Sequence, residues 1–456
     1  MVILERLPSA THPQVVRVRV SVEEPDFDAP WLRTPHEREG IAVVIGPRLL
    51  LTLASVVTDA VEPARPVGAN QVLARIAAID HDRDLALLEV TDSASAAWDI
   101  EPVALGTLAV EGQVVVLVGA SEDPPRIDVG TGRIVSIGLH RYSHSMRHLL
   151  AVTLDARQPF HVGGDAVFGQ SGLVGIVMQR HPDDELRGEL IPAPIIRAFL
   201  EGVAARKPPG VPALGISVQS LTNPLMRAQY GDQGVLVSRV DLGSTCDGVL
   251  EPRDVLLSIG GVPIADDGSV AYEGHELRHY VVLSTTHLGD PVELGIRRAG
   301  VSSIVTATLR PWLPLVPPAR PDASVRYFVY GGLVFQPLTR DYLTTWESWF
   351  DKAPKELLHA YYMGRRTEGQ LELVVMTSVL ADPINAGYEL YANESIIRVG
   401  ERVPRDLDDL VSLIEAAHGT VTLETSSGGL LALDTQEVRQ ATPRIVRANA
   451  VPRDRT

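Results

Sequence analysis

The chain has 456 residues, 45% of them apolar and 5% aromatic, and a formal net charge of −16 from 41 basic and 57 acidic side chains. That length exceeds one ordinary core and points to about three domains. The acidic balance argues against nucleic acid, where affinity rests on Lys and Arg neutralising phosphate, and against anionic lipid surfaces. A single cysteine, Cys246, excludes an intrachain disulfide and a metal centre built on thiolates.

The start, MVILERLPSATHPQ, has no charged segment leading into a long apolar one. The longest apolar runs, such as Leu49 to Val57, fall short of the roughly 20 residues a membrane helix needs. The expectation is a cytoplasmic protein with no membrane partner. From about residue 14 to 202, short β-like runs follow one another between turns: VVRVRVSV (15–22), IAVVI (41–45), RLLLTLA (48–54), VLARIAAI (72–79), LALLEV (85–90), QVVVLVGA (113–120), RIVSIG (133–138), LLAVTL (149–154) and GLVGIVMQ (172–179). Such spacing without alternating helices predicts an antiparallel barrel or sandwich. A helix closes the region, with Ile195, Phe199 and Val203 on one stripe, and KPPG (207–210) reads as a linker.

A second region spans about 212–310. Strands are expected at ALGISVQS, QGVLVSRV (233–240) and DVLLSIGGVPI (254–264), a helix over 275–287, and a closing hairpin around Ala299 and Gly300. The Pro-rich run 311–324 reads as an extended linker. In the third region, 325–456, a β-like start at 329–339 is followed by a helical insertion bearing Tyr342, Trp346, Trp349 and Phe350. A strand-turn-helix then places Leu407, Leu410, Val411 and Ile414 on one face. The second and third regions read as a diverged internal repeat.

Two segments carry the chemistry. Residues 40–57 read GIAVVIGPRLLLTLASVV and residues 155–168 read DARQPFHVGGDAVF. With DHDRDLALLEV (80–90), LVGIVMQ (173–179), IPAPIIRAFL (191–200), and Leu250 followed by Asp254 to Ile264, they resemble the Deg/HtrA family in order and spacing over nearly the whole chain. That resemblance implies a mainly β fold: a trypsin-like double β-barrel over 1–206, then two PDZ-like α+β domains at 212–310 and 325–456. The family's first segment carries T-N-A-H-V-V and its second N-P-G-N-S-G-G-P. Here Ser55 stands at the position of the general-base histidine and Gly163 at that of the nucleophilic serine. Asp84 matches the carboxylate that orients the base.

Serine proteolysis needs a hydroxyl nucleophile, an imidazole to take its proton and a carboxylate to hold that imidazole. A serine hydroxyl is no base near neutral pH, and glycine offers no side chain. The oxyanion turn is altered to His161, Val162, Gly163, Gly164 and Asp165, which adds a carboxylate where negative charge would develop. The resemblance with these losses implies a pseudoprotease with no cofactor and no metal. An alternative is a rearranged serine peptidase with Ser55 as nucleophile, His161 as base and Asp84 as its partner. Another is a structural subunit of a mixed Deg/HtrA oligomer.

His140, His144 and His148 recur every four residues, a metal spacing on a helix, but their flanks are strand-like and predict a hairpin loop. PDZ domains bind peptide C-termini by strand addition, with a glycine loop holding the carboxylate. By resemblance that loop is Leu214, Gly215 and Ile216 in the first PDZ-like region, with Tyr280 and Leu283 lining the side-chain pocket. In the second it is Gly332 and Leu333. The partners so implied are protein C-termini, unfolded polypeptide, an active homologue and further copies of the chain.

Overall fold

The valines of the second strand alternate with charged and polar residues, and that alternation sets its facing. In the computed structural model, which describes residues 1–7, 12–61, 70–91, 100–121, 123–318 and 324–456, Val16, Val18, Val20 and Val22 are buried while Arg19 and Ser21 stay partly exposed. This is β2 (Val15–Pro25). With β1 (Val2–Glu5), β3 (Arg33–Gly46), β4 (Leu49–Thr52), β5 (Gln71–Asp80) and β6 (Leu85–Val90) it closes a barrel in the order β1-β2-β3-β4-β6-β5. A second barrel, β10-β11-β12-β9-β8-β7, is built from β7 (Val114–Ser121), β8 (Arg126–Arg141), β9 (His148–Ala156), β10 (Ala166–Gly169), β11 (Gly172–His181) and β12 (Asp184–Pro192). A short helix α1 (Ala54–Val57) follows β4. Helix α2 (Ala193–Ala204) follows the second barrel and buries Ile195 and Phe199, with Val203 partly buried.

The described residues fall into two compact units. One holds Met1–Val22 and Pro35–Trp312, and the other Glu23–Thr34 and Leu313–Thr456. The first unit therefore contains both barrels and the region 212–310. In that region a sheet runs β14 (Ile216–Gln219), β15 (Val235–Val240), β16 (Val255–Ile259), β20 (Pro291–Arg298), β21 (Val301–Thr308), so β14 lies at an edge. Around it sit β13 (Pro212–Ala213) paired with β22 (Arg310–Pro311), helix α3 (Pro224–Tyr230) and β17 (Val262–Pro263).

The helix expected over 275–287 does not form. Instead β18 (Ser269–Tyr272) pairs with β19 (His275–Arg278), and His279–Leu283 make only a 3-10 turn. Glu273 at φ +47° and Gly274 at φ +84° supply a tight hairpin turn. Val281, Val282, Thr285 and Thr286 are β-branched and weaken a helix. Val281 and Leu283 are buried all the same, from a 3-10 turn rather than from a helix.

The second unit holds a sheet of β23 (Phe328–Tyr330), β24 (Leu333–Pro337), β25 (Val374–Val379), β26 (Glu394–Val399), β27 (Thr420–Thr425) and β28 (Leu430–Asp434), in that order. Its helices are α4 (Arg340–Leu343), α5 (Trp349–Lys352), α6 (Lys355–Met363), α7 (Leu407–Ala416) and α8 (Thr435–Ala448). Leu407, Leu410 and Ile414 of α7 join Phe328 and Phe335 in one core.

Residues 23–34, the tip between β2 and β3, belong to this unit. Phe27 packs against the cluster of Leu338, Tyr342 and Leu357. Trp31 meets Tyr327 edge-on with ring centroids 5.8 Å apart. Gln336 Nε2 donates to the Phe27 carbonyl at 2.9 Å. Of the expected Pro-rich linker, residues 319–323 lie outside the described residues, while Leu315 and Val316 are buried in this same cluster.

Candidate functional site

Asp84 is 1% exposed and sits at φ +53° just before β6. Its Oδ1 accepts the Ser55 N–H at 2.6 Å, and its Oδ2 accepts the Ser55 hydroxyl at 3.1 Å. The carboxyl therefore serves as a cap for the first turn of α1, which has no cap from its own N-terminal residue. Burial pushes Asp84 up to about 7, against the lowering effect of its bonds from Ser55. Arg38 closes over the other side, with Nη1 donating to the carbonyls of Ser55 and Thr58 at 3.0 and 2.9 Å.

Gly163 adopts φ +76° and Gly164 φ +96°. The carbonyl of Gly163 accepts from the Ile41 N–H at 3.4 Å. A Cβ placed on Gly163 would lie 2.2 Å from the Glu39 carbonyl oxygen and 2.4 Å from the Gly40 Cα. Backbone of β3 thus fills the space where a side chain at this position would extend. Only glycine fits such a left-handed, crowded site.

The rest of the turn is held by Asp165, itself 1% exposed. Asp165 Oδ2 accepts the His161 N–H at 3.0 Å, and Oδ1 lies 2.7 Å from His161 Nδ1. His161 Nε2 faces Asp128 Oδ2 at 3.3 Å. The hydrogen bond to Asp165 chiefly raises the His161 pKa, against partial burial, and Asp128 adds to it. Val162 is 72% exposed. Both ring nitrogens of His161 are thus engaged, and Asp84 is bonded to Ser55 itself. The permuted set of Ser55, His161 and Asp84 is not assembled, because no imidazole stands between the hydroxyl and the carboxylate.

His140, His144 and His148 go separate ways on the β8–β9 hairpin. His140 Nδ1 lies 2.7 Å from Glu189 Oε1, and His144 Nε2 lies 3.1 Å from His81 Nδ1. Among the described residues no group of three or more His, Cys, Asp or Glu side chains could hold a metal ion. Cys246 is fully buried, and burial pushes its thiol up to about 12.

In the region 212–310, Leu214, Gly215, Ile216, Tyr280 and Leu283 line one cavity of about 430 Å³. Gly215 is at φ +67°, and a Cβ there would meet the Ser244 Cβ at 2.1 Å, so the loop needs glycine. Sequence reasoning missed Arg147 and Trp312, which line the same cavity. Arg147 arrives from the β8–β9 hairpin and is held by Asp82 Oδ2 at 3.1 Å and the Pro212 carbonyl at 3.0 Å. No local signal announces a residue reaching across 65 positions.

Gly332 and Leu333 require a correction. Gly331 at φ +59° and Gly332 at φ +87° form the two-residue turn of the β23–β24 hairpin, where Tyr330 opposes Leu333. On its other side β24 pairs with β25, Leu333 opposite Val379. Leu333 is fully buried. With a neighbour on each side, β24 offers no free edge for an added strand. In the aromatic insertion Tyr342 is 1% exposed and meets Trp346 edge-on, Trp346 and Trp349 are partly buried, and Phe350 is 54% exposed.

Residues 40–176 match the trypsin-like peptidase domain family, and residues 316–456 match a PDZ domain family. Protease Do-like 2, chloroplastic, of Arabidopsis thaliana is 29% identical over 455 residues, covering 97% of this chain and 74% of that protein. Protease Do-like 4, mitochondrial, of the same plant is 28% identical over 451 residues, covering 96% and 84%. Among solved structures, an HtrA-type protease AlgW with a decapeptide aligns at 19% identity and a TM-score of 0.46, covering 68% of this chain and 96% of that one. Among the described residues no helix is long and apolar enough to cross a membrane.

Proposed function

This chain is a member of the Deg/HtrA protease family, with a trypsin-like peptidase domain and a PDZ domain, and from that premise we propose that it acts by binding polypeptide rather than by cutting it. The observation that carries this reading is the crowding at Gly163. A nucleophile there would have to displace the Glu39 and Gly40 backbone, and the position of its base is held by Ser55, bonded directly to Asp84. Loss of nucleophile or base alone costs on the order of a million-fold in rate in a well-studied protease. Here both are replaced.

The binding element is the cavity beside β14. An edge strand, a glycine loop and apolar Leu214, Ile216 and Leu283 suit a peptide C-terminus ending in an apolar residue. Such a protein would serve as a holder of unfolded chains, or as a scaffold or regulator of an active homologue, alone or in a mixed oligomer. Casein digestion by the full chain tests the absence of hydrolysis, with turnover equal to buffer expected. Labelling by a fluorophosphonate probe at Ser55 would falsify it, since only an activated hydroxyl reacts. Binding is read separately, by fluorescence polarisation of peptides with apolar C-terminal residues.

A further inference from the structure

We propose that the first unit carries a second ligand site, for a small carboxylate with an apolar body, in the cavity between β5, the C-terminal end of α2 and the segment that follows it. The cavity has a volume of about 390 Å³, within the range of small-molecule sites. Ile79, Phe199 and Val203 give it apolar walls, and Arg83 lies at its buried side. Arg83 Nη1 and Nη2 are committed to Asp80, 2.6 Å away, and to the carbonyls of Gly210 and Thr286, while its Nε is buried without a partner among the described residues. That buried pair is internally neutral. The charge open to a ligand lies at the mouth, where Arg206 is exposed.

Arg206 is the telling residue. It holds φ +54°, a left-handed conformation at the position just past the helix where glycine is the usual occupant. Its N–H bonds the Val203 carbonyl at 3.1 Å, and the next N–H, of Lys207, bonds the Gly202 carbonyl at 2.9 Å. A non-glycine residue there is strained, and strain of this kind gathers at functional sites. Lys207 is paired with Asp290 at 2.5 Å. Among the described residues no carboxylate lies within ion-pair distance of Arg206. An apolar chamber with a cation at its mouth complements a carboxylate head on a hydrocarbon tail. The head would sit at Arg206 and the tail against Phe199 and Val203. The Asp80 carboxyl lines the same space but is spent on Arg83 and on its backbone N–H, so it does not repel the head at close range.

The test is isothermal titration of the full chain with decanoate, decanol and acetate. One decanoate per chain is expected, with decanol weaker by about tenfold and acetate silent, since each lacks one half of the complement. Arg206→Glu, at an exposed position, should weaken decanoate by at least about tenfold, and Val203→Trp, which fills the chamber, should abolish it. Arg206→Gly should weaken binding while leaving the fold intact, which separates the charge from the backbone shape. The proposal is overturned if wild type takes up no decanoate, if decanol binds as tightly, or if Arg206→Glu binds unchanged. Peptide affinity at the β14 cavity is measured alongside and is expected to stay constant in the Arg206 variants, so that failure at one site is not mistaken for failure at the other.

Discussion

The Ser55 hydroxyl donates to Asp84 Oδ2 at 3.1 Å while the Ser55 N–H donates to Asp84 Oδ1 at 2.6 Å. One side chain therefore takes both donors of one residue. Asp84, which by resemblance matches the carboxylate that orients an imidazole in a working triad, caps the turn that follows β4. Its duty is structural, and its ionisation works against the fold because burial disfavours the charged form.

That duty sets a pH dependence. Folded Asp84 titrates near 7 against 3.8 when unfolded. Between those values the folded state keeps a proton that the unfolded state has released, so stability falls as pH rises through this window and levels off above it. His161, raised above 6.5 by Asp165, acts in the same direction: the contribution of its imidazolium is whole below 6.5 and is lost as pH climbs through the raised value. Asp84→Asn keeps an acceptor for the Ser55 N–H and removes the first slope. Urea unfolding should show the variant more stable than wild type at pH 8 by about 4 kcal/mol, with the difference shrinking towards pH 4.

Rebuilding the family residues should not rebuild the activity. Gly163→Ser introduces a Cβ into the Glu39–Gly40 backbone at a left-handed position and is expected to destabilise the first unit by roughly 3 kcal/mol. Ser55→His combined with Gly163→Ser should leave casein turnover at the level of buffer. Robust cleavage by that double variant would show that β3 yields more readily than its packing implies.

The buried pair of Arg83 and Asp80, each 2% exposed, joins the first barrel to Gly210 and to Thr286. Arg83→Ala leaves Asp80 buried without its partner, at a cost of roughly 3–5 kcal/mol. Hydrogen exchange should speed up around residues 284–287 before the barrel strands open. The double change with Asp80→Ala should recover part of the loss.

Tyr280 is 38% exposed at the cavity beside β14, so Tyr280→Ala should spare the fold. Polarisation assays with peptides ending in an apolar residue are expected to show affinity reduced about fivefold. Unchanged affinity would move the peptide elsewhere.

Much of this was readable from residue order. The VVRVRVSV run does form a strand, and Gly215 does take the left-handed backbone that its loop needs. Ser55 and Asp84, matched by resemblance to neighbouring family positions, are in contact. What stayed hidden has a common cause. Alternation and propensity describe one strand, but the neighbours of a strand are set by pairing over long distances. Whether β24 keeps a free edge depended on β23 folding back upon it, and the two-residue Gly331–Gly332 turn served that hairpin equally well as it would an open loop. The same limit hid Arg147 at the cavity beside β14. At 275–287, a stripe of buried residues could not distinguish a helix from a 3-10 turn.

Phe27→Ala and Trp31→Ala remove side chains from the interior of the second unit. In the full chain each is expected to lower that unit's stability by about 2 kcal/mol, read as an earlier calorimetric transition. The matched PDZ domain begins at residue 316, yet its hydrophobic interior is finished by amino acids encoded almost 300 positions upstream. Such a domain is not a cassette. A gene that lost or exchanged its final third would leave an N-terminal finger bearing two orphaned aromatic rings, and one that shortened the finger would hollow out a domain it never touches in sequence. Insertions, deletions and recombination in either place are therefore constrained by the other, and the ancestry of the two should be inherited as one block.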